Sequence, residues 1–483
     1  MATIRSVFLC SILLLDIGLV GAQTPSPLAW CLKVNSKVVA LAHVRIIDGT
    51  GAPAQDDQTI LLSGGKITAI GNAGAVAIPD GAQIMDLLGY SVIPGMVGMH
   101  EHMFYHVGWG IFGEMPISFP RLYLAGGVTT IRTAGTFEPY TDLGIKKRVD
   151  SGLIPGPKIH VTGPYLEGSG TWSMQMHELT GPQDATETVN FWMDQGVDNF
   201  KAYMYITPAE LGEAVQAAHK RGAKVTGHLC SIGFREAASL GIDNIEHGFL
   251  IDTEFFPWKK PGECPESPKS MSYLAKLDVQ TGPVHDMILD LVSHHVAVTS
   301  TLAVFEMSLP GRPPIQQRVL DALAPEARND MLLSKVRAAD LASMKPNPGE
   351  EPPAFPAVFR KEMEFERAFV QAGGLLLAGV DPTGPGGVLP GFGDQRDVEL
   401  LVEAGFSPLE AIRIATLNGA QYLGESDRIG SIAPGKQADL VVIKGDPSVR
   451  IEDIENVEIV FKDGLGYDAP KLVESVKGLV GIR

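Results

Sequence analysis

Between residues 94 and 426 the chain repeats one pattern: a short unbroken apolar run, a polar residue at its end, then a stretch with apolar positions at helical spacing. Candidate strands end near His100, at 130–133, at Val161, at 201–203, at His228, at His247, at 299–304 and at Asp381, which makes eight. The clearest helical stretches are 208–220, before the His228 run, and 232–240, before the His247 run. Strands alternating with helices call for a parallel sheet, and eight of them suggest a (β/α)8 barrel. Active sites of such barrels form at the C-terminal strand ends, where these polar residues fall. The rival is an open doubly wound sheet, but no Gly-x-Gly-x-x-Gly turn or Gly-Lys-Ser/Thr loop follows the first strands.

The texture differs at both ends. Residues 37–88 form short β-prone runs with turn punctuation (44–49, 59–70 and 83–86), and the same character returns at 428–443 and 457–464. One small β-domain is therefore expected from 23–93 and 427–483, flanking a barrel over 94–426.

Composition narrows the function classes. A chain of 483 residues, 45% hydrophobic and 20% charged, has ample material for a large core. Its formal charge of -17 argues against nucleic acid or an anionic membrane as partner, since either needs a clustered Lys/Arg surface. Residues 1–22 have a basic start at Arg5, an apolar centre and small residues before Gln23, the pattern of a cleaved export signal. A periplasmic or secreted protein is expected. Leu9 stands where a lipoprotein signal has a small residue, so Cys10 is not read as an anchor, and no later run is long enough to span a membrane. Cys31, Cys230 and Cys264 remain, too few for a disulfide scaffold. Cys230 is read as a buried thiol beside the site rather than a metal ligand.

The candidate chemistry starts with His100-Glu-His102. Alternate strand residues face the same way, so both imidazoles leave one face and Glu101 the other. His228, His247 and Asp381 each end an apolar run just before a loop, as does Lys201 in the fourth candidate strand. Tyr203, two residues on, shares the face of Lys201.

The chain resembles the amidohydrolase superfamily, in its imidazolonepropionase-like and prolidase-like branch. The motifs that carry the resemblance are Ile93-Pro-Gly before His100-x-His102, then Ile245-Glu-His-Gly248, Gly379-Val-Asp381, and the closing run from Gly430 to Val441. It implies a barrel with a metal centre and a β-sandwich made by the terminal segments. In two-metal members a lysine at the position of Lys201 is carboxylated by carbon dioxide. A carbamate there would bridge two cations that an ammonium would repel. By resemblance His100, His102 and Asp381 hold one ion, His228 and His247 the other, and Lys201 joins them. The imidazole and carboxylate donors suit zinc. A metal-bridging hydroxide would attack the substrate carbonyl, Asp381 would pass a proton to the leaving nitrogen, and Tyr203 would donate to the carbonyl oxygen.

The implied function is an exported binuclear amidohydrolase acting on a small molecule: a dipeptide, an N-acyl amino acid or a cyclic amide. The same centre could open a lactone or a phosphotriester, and a non-catalytic binding member of the fold is the third class. Retention of all six ligand positions argues against the last. His106, His177 and Arg132 are further pocket candidates, each more readily structural. Prolidase-like relatives often carry a glycine-flanked histidine after the third strand, whereas here His177 is displaced and lacks that glycine. Two long segments, 249–286 and 305–356, are expected as loops that wall the site.

Overall fold

The computed structural model describes residues 26–108, 111–265, 267–343, 354–383 and 387–482. The export segment expected at 1–22 lies outside the described residues.

Both chain ends contribute to one nine-stranded, mainly antiparallel sheet. Tyr90–Pro94 pairs antiparallel with Leu440–Lys444, and Leu32 lies opposite Tyr467, so the termini are stitched together by main-chain bonds. The run Leu440–Lys444 does not alternate because both of its faces are covered: Leu440 and Val442 pack in the sheet's own apolar cluster, Val441 and Ile443 in the main core. Gln55–Ser63 and Lys66–Asn72 turn through Gly64 and Gly65, whose φ of 58° and 77° fit the two-residue hairpin that only glycine enters without cost.

The middle of the chain forms two parallel sheets. One has three strands, Met96–Glu101, Val128–Thr133 and Lys158–His160; the other has six, Thr162–Leu166, Asn199–Ala202, Lys224–Gly227, Asn244–Glu246, Ala297–Ser300 and Leu376–Ala378. The chain passes from the first to the second through Val161 alone. At the other edges, the backbone N–H groups of Val380 and Asp381 donate to the His100 carbonyl at 3.2 and 3.0 Å. Helix Pro208–Lys220 has the bounds expected from its apolar spacing, and starts where Thr207 and Glu210 cap each other's backbone N–H groups. Phe234–Ser239 forms inside the expected 232–240 stretch.

Several expectations are corrected. The seventh strand stops at Ser300 rather than running to 304, because Leu302–Glu306 is helical and the Ala303 N–H donates to the Asp397 carboxylate at 3.2 Å. Within the segment 428–443 only the part from Leu440 is strand. The long segments are not plain loops: they carry helices Ser267–Leu274, Gly282–Ser293, Gln317–Ala322 and Pro325–Ser343. An unexpected hairpin, Phe104–Gly108 with Ile111–Glu114, follows the first parallel strand. Cys230 is not a free thiol but is bonded to Cys264; its strand ends at Gly227, which puts Cys230 in the loop that meets the 249–286 segment. Cys31 is free and buried. No helix among the described residues is long and apolar enough to cross a membrane.

Candidate metal centre

Each sequence-predicted site residue arrives from the C-terminal end of a parallel strand. His100 lies near the end of Met96–Glu101 and His102 just past it; Lys201 is in Asn199–Ala202; His228, His247 and Asp381 follow Lys224–Gly227, Asn244–Glu246 and Leu376–Ala378. All six, with Tyr203, line one cleft. Asp381 is at its middle: its carboxylate oxygens lie 3.3 Å from His102 Nε2, 3.8 Å from His100 Nε2 and 3.9 Å from His247 Nε2. The rings of His100 and His228 each stand 4.5 Å from that of His247. Donor atoms of His100, His247 and Asp381 all fall within 4.8 Å of one another, close enough to share one cation.

The backbone is shaped for this convergence. His247 and Asp381 adopt φ of 68° and 50°, the left-handed region that side chains other than glycine seldom enter, so local strain is held where their donors meet. Gly379 has no room for more: a Cβ there would stand 2.4 Å from the His100 backbone nitrogen.

Hydrogen bonds behind the rings decide which nitrogen faces inward. His102 Nδ1 lies 3.0 Å from the Gly135 carbonyl, which can only accept, so Nδ1 carries the proton and Nε2 presents its lone pair. His100 Nδ1 meets Glu246 at 2.7 Å, and Glu246 is in turn held by Arg132 at 2.5 Å and by the Thr226 hydroxyl. His247 Nδ1 lies 2.8 Å from the Thr301 hydroxyl. Three imidazoles are thus oriented from behind, as metal-binding histidines usually are.

Electrostatics favour a donor set over a proton-bound cluster. Burial, reinforced by Lys201, pushes His100 down to about 4 and His228 down to about 3. His247 is pushed well below its ordinary value by burial and by the neighbouring imidazoles. For Asp381 burial acts upward, but His100, His102 and His247 outweigh it and hold the carboxyl well below the usual range. Burial brings Lys201 down to about 8, and it raises Tyr203. The result at neutral pH is that His100, His228 and His247 are uncharged beside an ionised Asp381, which is what a divalent cation requires.

The other candidates go elsewhere. Arg132 is fully buried and acts on Glu246 rather than lining the cleft. His177 is exposed and pairs with Asp184 at 3.1 Å, and His106 packs edge-on against Phe112. Sequence reasoning did not find Glu246 as the support of His100, although it adjoins His247 in the same motif. Nor did it find the aromatic wall of Phe104, Phe112, Phe137, Tyr165 and Trp172.

Comparison with known proteins bears on the C-terminal part of the chain and on the fold. Residues 387–465 match the amidohydrolase family model. Adenine deaminases from Ligilactobacillus salivarius (strain UCC118) and Desulfatibacillum aliphaticivorans are 37% identical over 78 residues and 40% identical over 70 residues, covering 16% and 14% of this chain. The chain spans only 13% and 12% of the length of these curated relatives. Among solved structures, a putative prolidase from Bifidobacterium longum superposes with a TM-score of 0.62 at 23% identity, over 89% of this chain and 94% of that one. A Xaa-Pro dipeptidase with bound methionine gives 0.65 at 21%, over 89% and 100%, and the bottromycin amidohydrolase 0.66 at 19%, over 94% and 93%. At such identities the likeness is one of fold.

Proposed function

We propose that this chain, a member of the amidohydrolase superfamily by its match over residues 387–465 and by its fold, is a metal-dependent hydrolase that cleaves a carbon–nitrogen bond in a small molecule. The observation that carries the proposal is the convergence of His100, His102, Lys201, His228, His247 and Asp381, from five strand ends, on one cleft. We read the two parallel sheets as one (β/α)8 barrel over 94–426. The continuous passage at Val161 and the bonds from Val380 and Asp381 to His100 support closure. The terminal sheet is then a separate β-domain built from 23–93 and 427–483.

The donor set fits two divalent cations, zinc by its mixture of imidazole and carboxylate. His100, His102 and Asp381 would hold one, His228 and His247 the other, and Lys201, carboxylated by carbon dioxide, would bridge them. A lysine brought down to about 8 offers the neutral amine that carboxylation needs. When bound, the ions would polarise the carbonyl and bring the pKa of water from about 15.7 toward 7. Asp381, ionised at rest, is placed to take a proton and return it to the leaving nitrogen. Tyr203 keeps its proton because burial raises it, and can donate to the oxygen on which charge develops.

Hydrolysis of an amide library by the purified protein, abolished by a chelator and restored by zinc, is the expected result. Full activity after complete metal removal would contradict the proposal. Export is a separate part of it: N-terminal sequencing of the native protein should begin near Gln23, and an intact Met1 or Ala2 would remove that part.

A further inference from the structure

Five aromatic side chains lead from the mouth of the cleft to Tyr203 beside the metal-binding imidazoles. Trp172, about half exposed, stands edge-on to Phe112 at 5.8 Å. Phe112 stacks on Phe137 at 5.1 Å with their planes 21° apart; Phe104 lies 4.7 Å from Phe137, and Tyr165 lies 5.3 Å from it. Tyr165 then meets Tyr203 at 4.9 Å, and Tyr203 stands 5.0 Å from the His228 ring. These rings come from four separate segments: the hairpin of Phe104 and Phe112, the loop after Val128–Thr133, the Thr162–Leu166 strand with the loop that follows it, and the end of Asn199–Ala202. Phe104 and Tyr165 are buried, whereas Phe112, Phe137 and Tyr203 are half-buried and Trp172 is exposed; aromatic faces left partly open to solvent in this way cost free energy unless a ligand covers them.

Charge in the same wall is as telling as the rings. Among the described residues lining the cleft, the ionisable groups besides the tyrosines are the six of the candidate metal centre. Among the described residues no arginine, and no lysine other than Lys201, lines it to receive a carboxylate. A substrate with a free carboxylate at the aromatic end of the cleft would find no cationic partner among these side chains. The cleft, about 370 Å³ including its open mouth, has room for a ring.

We propose that the substrate is a neutral amide with an aromatic ring next to the scissile bond, packed against the wall of Phe112, Phe137 and Trp172, and that substrates with a free carboxylate at that end are poor ones. This rests on the hydrolase reading above for the reaction but not for the binding. The test uses the metal-loaded enzyme with phenylacetanilide and with alanylproline. The anilide should have a kcat/KM at least about tenfold above that of the dipeptide. Phe137→Ala should raise KM for the anilide about tenfold and that for the dipeptide by much less. A fluorescence titration of the same protein with phenylacetanilide, with Trp172→Phe as the control for the reporter, reads binding without turnover. Binding that is lost in Phe137→Ala, even if no amide is hydrolysed, would uphold this inference and overturn the hydrolase reading. Preferred turnover of alanylproline, or equal loss of both substrates in Phe137→Ala and in the milder Phe112→Leu, would overturn the inference and leave the hydrolase reading standing.

Discussion

The strand Met96–Glu101 is buried on both faces, and the two faces treat buried charge in opposite ways. On the cleft side Asp381, among His100, His102 and His247, is held well below the usual carboxylate range, and Glu246, between Arg132 and His100, is held down likewise. On the other side Glu101 meets Asp394 and Asp397 of helix Phe392–Glu403. Burial pushes Glu101 and Asp397 well up and Asp394 up to about 7. The groups that act on these three are other acids, a tyrosine and backbone N–H groups. Burial alone therefore does not mark a functional carboxylate; its neighbours do, because a negative charge survives in the interior only beside donors that compensate it.

The largest effect is expected on the cleft side. Asp381→Asn keeps the shape but removes the charge and the proton acceptor, so kcat should fall about 10³-fold while circular dichroism stays native. Near-normal turnover would detach Asp381 from the chemistry. Lys201→Ala should lose most activity, with partial recovery on adding a short carboxylic acid that stands in for the carbamate. Lys201→Arg should not recover, because guanidinium stays charged. Glu246→Gln leaves Arg132 without its counter-charge and His100 less firmly oriented, and metal affinity by chelator competition should drop about 10- to 100-fold. An unchanged affinity would confine Glu246 to packing.

On the other face of the strand, Asp394 has a folded pKa near 7, above an unfolded value of about 3.9. The folded state then holds a proton that the unfolded state releases. The stability this group contributes is complete below pH ~4 and is lost as pH rises through about 7. The melting temperature should decline over that window, and Asp394→Asn, which can still accept from the Gly391 N–H, should flatten the decline. A wild-type melting temperature that rises through the same window would reverse the account of this face.

The placing of the candidate ligands in one cleft was largely legible because strand geometry is a local rule. His-x-His puts two rings on one face by period alone, and an apolar run that stops at a polar residue marks a strand end whatever lies across the sheet. The strand positions follow from the same rule apart from the third, which resumes past Val161 as Thr162–Leu166, and the seventh, which stops at Ser300 before a helix whose Ala303 N–H meets a carboxylate 94 positions away. What stayed hidden is set by partners distant in sequence. The ion pair of Arg132 and Glu246 spans 114 positions, and the bond between Cys230 and Cys264 depends on where an inserted segment returns. The aromatic wall comes from three segments with no shared pattern, so no window along the chain contains it. Helix Pro325–Ser343 carries too weak an apolar stripe to stand out from a loop.

Metal content of the protein purified from its host without added metal or chelator, measured by mass spectrometry against quantitative amino-acid analysis, tests the central claim most directly. Two equivalents of a divalent cation per chain, falling toward one in Lys201→Ala, is the predicted result. A chain that carries no metal and hydrolyses its best amide at full rate after dialysis against chelator would contradict it.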